Sequence, residues 1–483
     1  MMGGVWWWVA AAAGARIVVI GGGAAGYFAA IRAATAFQES DPADAAPSPS
    51  HSPQVLLLEQ ANAVLTKVSI SGGGRCNVCH DESKDVRFLA ASYPRGNFLQ
   101  LGALNRFGAS DAANWFRDHG VPLKTEQDGR MFPTSDTSKS IVDALTTASS
   151  EAGVTVLRRS KVVSIVQDNN GTDRFRISCQ TMGENATTRE YACRSVVVAT
   201  GGNALTLELL SKLGIPIVPP VPSLFTLRVN SNSVINGLAG VSVQSVNLRL
   251  IVHGQGAANS QSRRRTNKHL DAAVFESSGP LLITHRGVSG PAVLRVSAFG
   301  ARALAASSYV AECEINWCEL TMDQAQRACE NMRSRASKRT MANVPPLPLP
   351  KRLWMAIVKE ALAPSSEREE SSPSSEREQL SQTAQKWAQL SKKQARKLAK
   401  GLTACRLKVN GKDTNKEEFV TAGGVDLKGI DCKSYESVKI AGLFFAGEVL
   451  DVDGITGGFN FQNAWTSGWL AGSAAAADAQ SCP

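Results

Sequence analysis

Gly21-Gly22-Gly23-Ala24-Ala25-Gly26 spaces three glycines as G-x-G-x-x-G, a pattern that binds pyrophosphate. Gly21 permits a tight turn, Gly23 lets backbone N–H groups approach the phosphates, and Gly26 lets a helix pack closely on a strand. Ala24 and Ala25 open that helix, whose N-terminal partial positive charge faces the anion. A carboxylate about 20 residues farther on would bind ribose hydroxyls. Glu59 is more distant than that, but removing the Pro/Ser-rich stretch Asp41 to Pro53 as an inserted loop restores the interval. Glu59 then stands at the tip of Val55-Leu56-Leu57-Leu58 and is the expected ribose ligand.

Gly72 to Gly74 offer a backbone that can lie flat against a cofactor, with Arg75 available to neutralise phosphate or hold a substrate carboxylate. Gly457 and Gly458 precede a helix containing Asn460 and Gln462, whose dipole would support the negative charge that hydride uptake creates. His285 is the acid/base candidate, with a local backbone bond as the structural alternative; Ser289 is the expected cap of a helix starting after it. Asp451 and Asp453 are read as fixing a turn rather than relaying protons. Cys76-Asn77-Val78-Cys79-His80 satisfies the C-x-x-C-H haem pattern. Haem is set aside because the pattern overlaps the glycine-rich segment, lacks an assigned axial ligand and has no export signal before it. A redox disulfide between Cys76 and Cys79 is the livelier alternative, and two inert thiols are the preferred reading.

The elements that must position these residues follow from apolar runs. Arg16 to Gly21, Gln54 to Glu59, Ser195 to Thr200 and Gly442 to Gly447 are short and continuously apolar, as buried parallel strands are. The alanine-rich stretch Ala24 to Phe37 links the first two into a βαβ unit. Val154 to Val166 and Arg174 to Cys179 alternate like half-exposed strands, a small antiparallel ribbon feeding back into the sheet. Met322 to Lys400 reads as several helices interrupted by Pro345 to Pro350. The expected class is α/β: a Rossmann-like domain built from N- and C-terminal segments around a β-rich and helical insert. The expected boundaries are 1–15 for an N-terminal extension, 16–205 and 406–478 for the Rossmann-like domain, 206–318 for the β-rich insert and 319–405 for the helical insert. Gln38 to Pro53, Ala258 to His269 and Pro364 to Arg377 read as surface loops.

With 483 residues, 43% hydrophobic and 19% charged, the chain can organise more than one core. Its ten cysteines lack disulfide-scaffold spacing, which points to a reducing, intracellular compartment, cytoplasmic or organellar. The apolar start has no basic n-region and is too short to span a bilayer. The net charge of +10 is concentrated in Arg263 to Lys268 and Lys386 to Lys400. Both runs are read as solvated surface rather than nucleic-acid modules.

Two segments resemble flavoproteins with two dinucleotide-binding motifs. Ser195 to Gly202 is similar to their A-T-G-G strand end, and Gly442 to Glu448 to their second fingerprint, where a strand ends at an acidic residue near the ribityl chain. Ser71 to Asn77, Gly129 to Pro133, Gly279 to Ala292 and Gly447 to Ala464 resemble the BaiN/YhiN-like family of NAD(P)/FAD-dependent oxidoreductases. The resemblance implies FAD and reductase roles on small organic molecules. Expected cofactor contacts, besides the first loop and Glu59, are Gly73, Gly74, Arg75, Cys76, Asn77, Val162, Thr200, Gly201, Gly447, Glu448, Gly457, Gly458, Asn460 and Gln462. The family usually has threonine at the position of Cys79, which leaves disulfide chemistry without family support. No second glycine fingerprint for NAD(P) stands out, so a nicotinamide donor is expected to bind transiently. No metal site is expected. The expectation is hydride transfer from NAD(P)H through flavin to a small organic substrate. The alternatives are an FAD-containing binding protein contacting RNA or a protein partner through its basic insert, and a flavin dehydrogenase or oxidase that uses no nicotinamide.

Overall fold

The computed structural model of the protein describes residues 13–40, 54–168, 173–182, 186–231, 233–253, 272–363, 385–413 and 420–481. The N-terminal extension up to residue 12, the basic run Arg263 to Lys268 and the three expected loops lie outside them, except for 38–40. Those three residues close a helix. The chain forms two compact units, Met1–Val221 with Val420–Pro483, and Pro222–Phe419. Among the described residues, no helix is long and apolar enough to cross a membrane.

The first unit starts with strand β1 (Ala13–Ile20), helix α1 (Ala24–Ser40) and strand β2 (Val55–Leu58). Ile17 to Ile20 and all of β2 are buried, as the continuous apolar runs require. Helix α2 (Thr66–Gly74), broken by a kink at Ser71 to Gly73, follows, then strands β3 (Thr155–Leu157), β4 (Ser160–Gln167), β5 (Phe175–Thr181) and β6 (Thr188–Val198). Their sheet order is β3-β2-β1-β6-β5-β4. β1, β2, β3 and β6 run parallel, while β4, β5 and β6 form the expected antiparallel ribbon. Arg130–Pro133 falls in a separate three-stranded sheet with Cys79–His80 and Leu123–Thr125, and Gly129 lies in the turn before it.

The second unit is a closed antiparallel barrel carrying helices. Its strands are β7 (Thr226–Val229), β8 (Ser242–His253), β9 (Ala272–Ile283), β10 (Gly287–Ser289), β11 (Val310–Asn316) and, after helices α3 (Met322–Arg335), α4 (Lys351–Leu362) and α5 (Lys392–Thr403), β12 (Cys405–Asp413). The order around the barrel is β7-β10-β9-β8-β11-β12. Alternating residues such as Leu248, Leu250, Cys313, Ile315, Leu407 and Val409 fill its core. The unit boundaries differ from the expected ones at both ends. β12 closes the barrel by pairing with β7 and β11, so residues 406–413 belong to this unit. Residues 206–221 remain with the first unit, where helix Ala204–Lys212 buries Leu207 and Leu210 in its core.

The chain then completes the first unit with strand β13 (Leu443–Phe445) and helix α6 (Phe459–Gln480). β13 pairs in parallel with the last three residues of β6. On α6, Gly468 and Gly472 let the backbone meet α1: a Cβ added at them would stand 2.7 Å from the Ala25 carbonyl oxygen and 2.4 Å from that of Ala29.

Candidate functional site

The first glycine loop sits where β1, β2 and β6 end together. Gly21 N–H donates to the Leu58 carbonyl at 2.8 Å, and Ala199 N–H to the Ile20 carbonyl at 2.8 Å. Gly21 has φ +111, and a Cβ there would lie 2.5 Å from the Ala199 oxygen; one on Gly26 would lie 1.8 Å from the Gly21 oxygen. Around Gly23 there is open space, and α1 begins immediately after it at Ala24. Glu59 reaches across this loop: its Oε2 accepts from Gly22 N–H at 2.7 Å and its Oε1 from Ala61 N–H at 2.6 Å. Ionised, the carboxylate has lone pairs left over for hydroxyl donors.

Beside Gly21, the buried Thr200 hydroxyl has no partner among the described residues. Gly201 lies close to Glu448, whose Oε1 accepts from Thr421 N–H at 2.8 Å and whose Oε2 accepts from Lys67 Nζ at 3.0 Å. Gly447 (φ +74) packs against Ala25 at the start of α1, so the two fingerprints converge. Val162 packs against the core from β4, whose first residue, Ser160, donates its N–H to the Glu59 carbonyl at 2.8 Å.

The Ser71 to Asn77 segment is an irregular ribbon, extended at Ser71, left-handed from Gly72 to Gly74 and at Cys76, and right-handed at Arg75. Gly72, Gly73, Gly74 and Cys76 have φ between 58 and 85, and the space beside Gly73 and Gly74 is open. Arg75, expected to meet phosphate or substrate, is already engaged. It pairs with Glu126 at 2.7 Å and Asp136 at 3.3 Å and lies 4.0 Å over the Phe132 ring. The hydrogen bond to Glu126 holds its pKa above the ordinary guanidinium value. Cys76 and Cys79 are free, buried thiols. Burial pushes Cys76 up to about 12 and raises Cys79 as well, so both stay protonated.

This segment holds the second glycine turn. In the amide orientation that satisfies both of its ends, Asn77 accepts from Gly458 N–H at 2.9 Å and donates to the Cys79 carbonyl at 3.0 Å. His80 Nδ1 lies 3.0 Å from the Gly457 carbonyl, and its ring stacks on Phe459 at 4.7 Å. The buried Tyr93 hydroxyl donates to the Phe459 carbonyl at 2.7 Å. Gly458 caps the N-terminus of α6, aiming the positive end of a 22-residue helix at this turn. Asn460 is occupied in shaping the turn, bonding the N–H and carbonyl of Gly454 at 2.8 and 3.0 Å. Gln462 donates to Thr466 Oγ1 at 3.0 Å, and its buried Oε1 has no partner among the described residues. Asp453, fully buried, pairs with Arg95.

His80, Tyr93, Lys67 and Thr421 escaped the sequence reading. Only His80 carried a signal, its place three residues after Asn77. His285 belongs to the other unit. It is exposed in the β9–β10 hairpin, lining a cavity of about 320 Å³ with Asn230, Asn236, Arg286 and Arg352. Ser289 does not cap a helix: it pairs with Leu282 inside β10, its hydroxyl meets that of Thr226 at 2.9 Å, and the helix Pro291–Phe299 is capped by Gly290.

A family model described as HI0933-like protein Rossmann domain matches residues 15–474. The chain belongs to that family. HI0933-like proteins include the BaiN/YhiN-like flavoproteins that the sequence resembles, and this member is an FAD-dependent oxidoreductase. It is 28% identical over 427 residues to the ribosomal RNA dihydrouridine synthase of Escherichia coli K12, covering 86% of this chain and 90% of that protein. It is 26% identical over 440 residues to the 3-dehydro-bile acid delta(4,6)-reductase of Clostridium scindens, covering 88% and 93%. Among solved structures, 3-ketosteroid-delta4-(5alpha)-dehydrogenase from Rhodococcus jostii RHA1 aligns over 98% of both chains with a TM-score of 0.47 and 16% identity. The residues of the HI0933-like site fit FAD. The open space at Gly23, the bare ribbon at Gly73 and Gly74 and the unpartnered Thr200 and Gln462 oxygens suit a large polar ligand.

Proposed function

We propose that the protein reduces a carbon–carbon double bond conjugated to a carbonyl, with NAD(P)H as donor and a uracil ring in RNA as substrate. The observation that carries this reading is the chemistry shared by the named relatives. Dihydrouridine forms when hydrogen adds across the uracil C5=C6 bond, beside a ring carbonyl; a delta(4,6)-reductase of a 3-dehydro bile acid saturates bonds in line with its ketone. A small enone is the second reading, favoured by the bile-acid relative.

Bound FAD would supply hydride acceptance and delivery. The Gly21 to Gly26 loop and the N-terminus of α1 would hold its pyrophosphate, Glu59 its ribose hydroxyls and Thr200 a further polar atom. The Gly73–Gly74 ribbon would lie along it. The N-terminus of α6, fixed by Asn77 and His80 through Gly457 and Gly458, would favour negative charge at the reacting end.

The test is the absorption spectrum of the holoenzyme before and after anaerobic NADH or NADPH, followed by mass analysis of nucleosides from added ribosomal RNA. The expected result is bleaching by one nucleotide and a uridine heavier by two hydrogens. Bleaching with unaltered RNA and saturation of an added 4-en-3-one would move the assignment to the second reading. Absence of flavin bands after reconstitution would sink both.

A further inference from the structure

We infer that the exposed side of α5 docks the phosphodiester backbone of RNA. Lys392, Lys393, Arg396, Lys397 and Lys400 lie on this helix and Lys386 just before it. Its opposite side buries Ala395, Leu398, Ala399 and Leu402 in the core of the second unit. At 3.6 residues per turn, Lys393, Arg396, Lys397 and Lys400 form one stripe roughly 10 Å long, which spans about three phosphates of a strand.

Three features argue for a polyanion rather than solvent. First, residues 385–403 contain no carboxylate, and among the described residues none of the six cations is in an ion pair. The barrel of the same unit is built differently: Arg249 lies 3.0 Å from both Glu276 and Glu314, and Arg406 3.0 Å from Glu314. Second, Lys393 with Lys397 and Arg396 with Lys400 set like charges four residues apart, which costs the helix stability. A capping box offsets that cost, with Gln394 N–H donating to Ser391 Oγ at 3.2 Å and Ser391 N–H donating to Gln394 Oε1 at 2.9 Å. Third, the outward side of α5 carries no large apolar side chain of the kind an interfacial membrane helix inserts. Phosphates in a row match this surface better than lipid does.

The inference rests on uracil in RNA being the substrate, but the two can fail separately. The full-length holoprotein is titrated against a fluorescent, short, uridine-rich single-stranded RNA over a range of salt, and against phosphatidylserine vesicles. The K393Q/R396Q/K397Q/K400Q variant is expected to bind the RNA at least about tenfold more weakly and to lower the slope of log affinity against log salt by about 3. Its melting temperature and flavin reduction by nicotinamide should not fall. A K393R/K397R/K400R variant, with its charge retained, should bind like wild type. Equal affinity and slope for wild type and the glutamine variant, or binding to vesicles without binding to RNA, overturns the docking face. RNA bound through α5 with its uridines unreduced leaves docking standing and removes the substrate reading. Uridines reduced equally well by both proteins do the reverse.

Discussion

The two glycine turns of the first unit are held in opposite ways. The Gly21 loop is fixed by main-chain bonds among strands that end beside it, with Leu58 and Ile20 supplying the carbonyls. The Gly457–Gly458 turn is fixed by Asn77 and His80, with Tyr93 anchoring the next residue, Phe459. One is a product of βαβ chain order; the other is assembled from side chains distant in sequence. Damage to the first should therefore be steric and damage to the second a matter of lost hydrogen bonds.

The largest effect is expected from Gly26→Val. The first added carbon would overlap the Gly21 carbonyl, and destabilisation of about 4 kcal/mol or more should follow, visible as loss of cooperative thermal melting. Gly23→Val provides the contrast. With open space around Gly23, the melting temperature should hold while flavin is not retained; an undiminished yellow protein would remove the pyrophosphate assignment. Asn77→Ala comes next, costing roughly 1–3 kcal/mol as Gly458 N–H loses its acceptor. Flavin should stay bound but be reduced about tenfold more slowly in stopped-flow traces, and an unchanged rate would make the second turn merely structural.

The smallest effect is in pH dependence. Burial lowers the His80 imidazole below its ordinary value of 6.5, with the Gly457 carbonyl opposing the shift. The unfolded chain then takes up this proton more readily. The His80 contribution to stability is complete above about 6.5 and is lost as pH falls through the depressed folded value. His80→Phe should flatten that part of the acid limb in thermal melts; an unchanged limb would assign the acid sensitivity elsewhere.

The first turn was legible because a glycine spacing, an apolar strand and an alanine-rich helix are local signals. Glu59 became legible once the inserted loop was subtracted. The second turn was legible as glycines but not as a structure. Nothing in Asn460 foretells that its amide closes on Gly454, and nothing in Arg75 foretells Glu126 and Asp136, because type and spacing do not name a distant partner. The barrel shows the same limit: alternation marks β12 as a strand but does not tell that it returns past three helices to close the ring between β7 and β11.

The close approach of Gly468 and Gly472 to α1 bears on the order in which the molecule is made. The first glycine loop leaves the ribosome early, but β13, the second turn and α6 follow only after the whole barrel unit has been synthesised. Until then, the alanine face of α1 waits without its partner helix, and a nascent chain exposing such apolar surface is open to misassembly. The two helices that pack through Gly468 and Gly472 can therefore meet only at the end of translation, and the time needed to synthesise the barrel unit sets how long α1 stays uncovered.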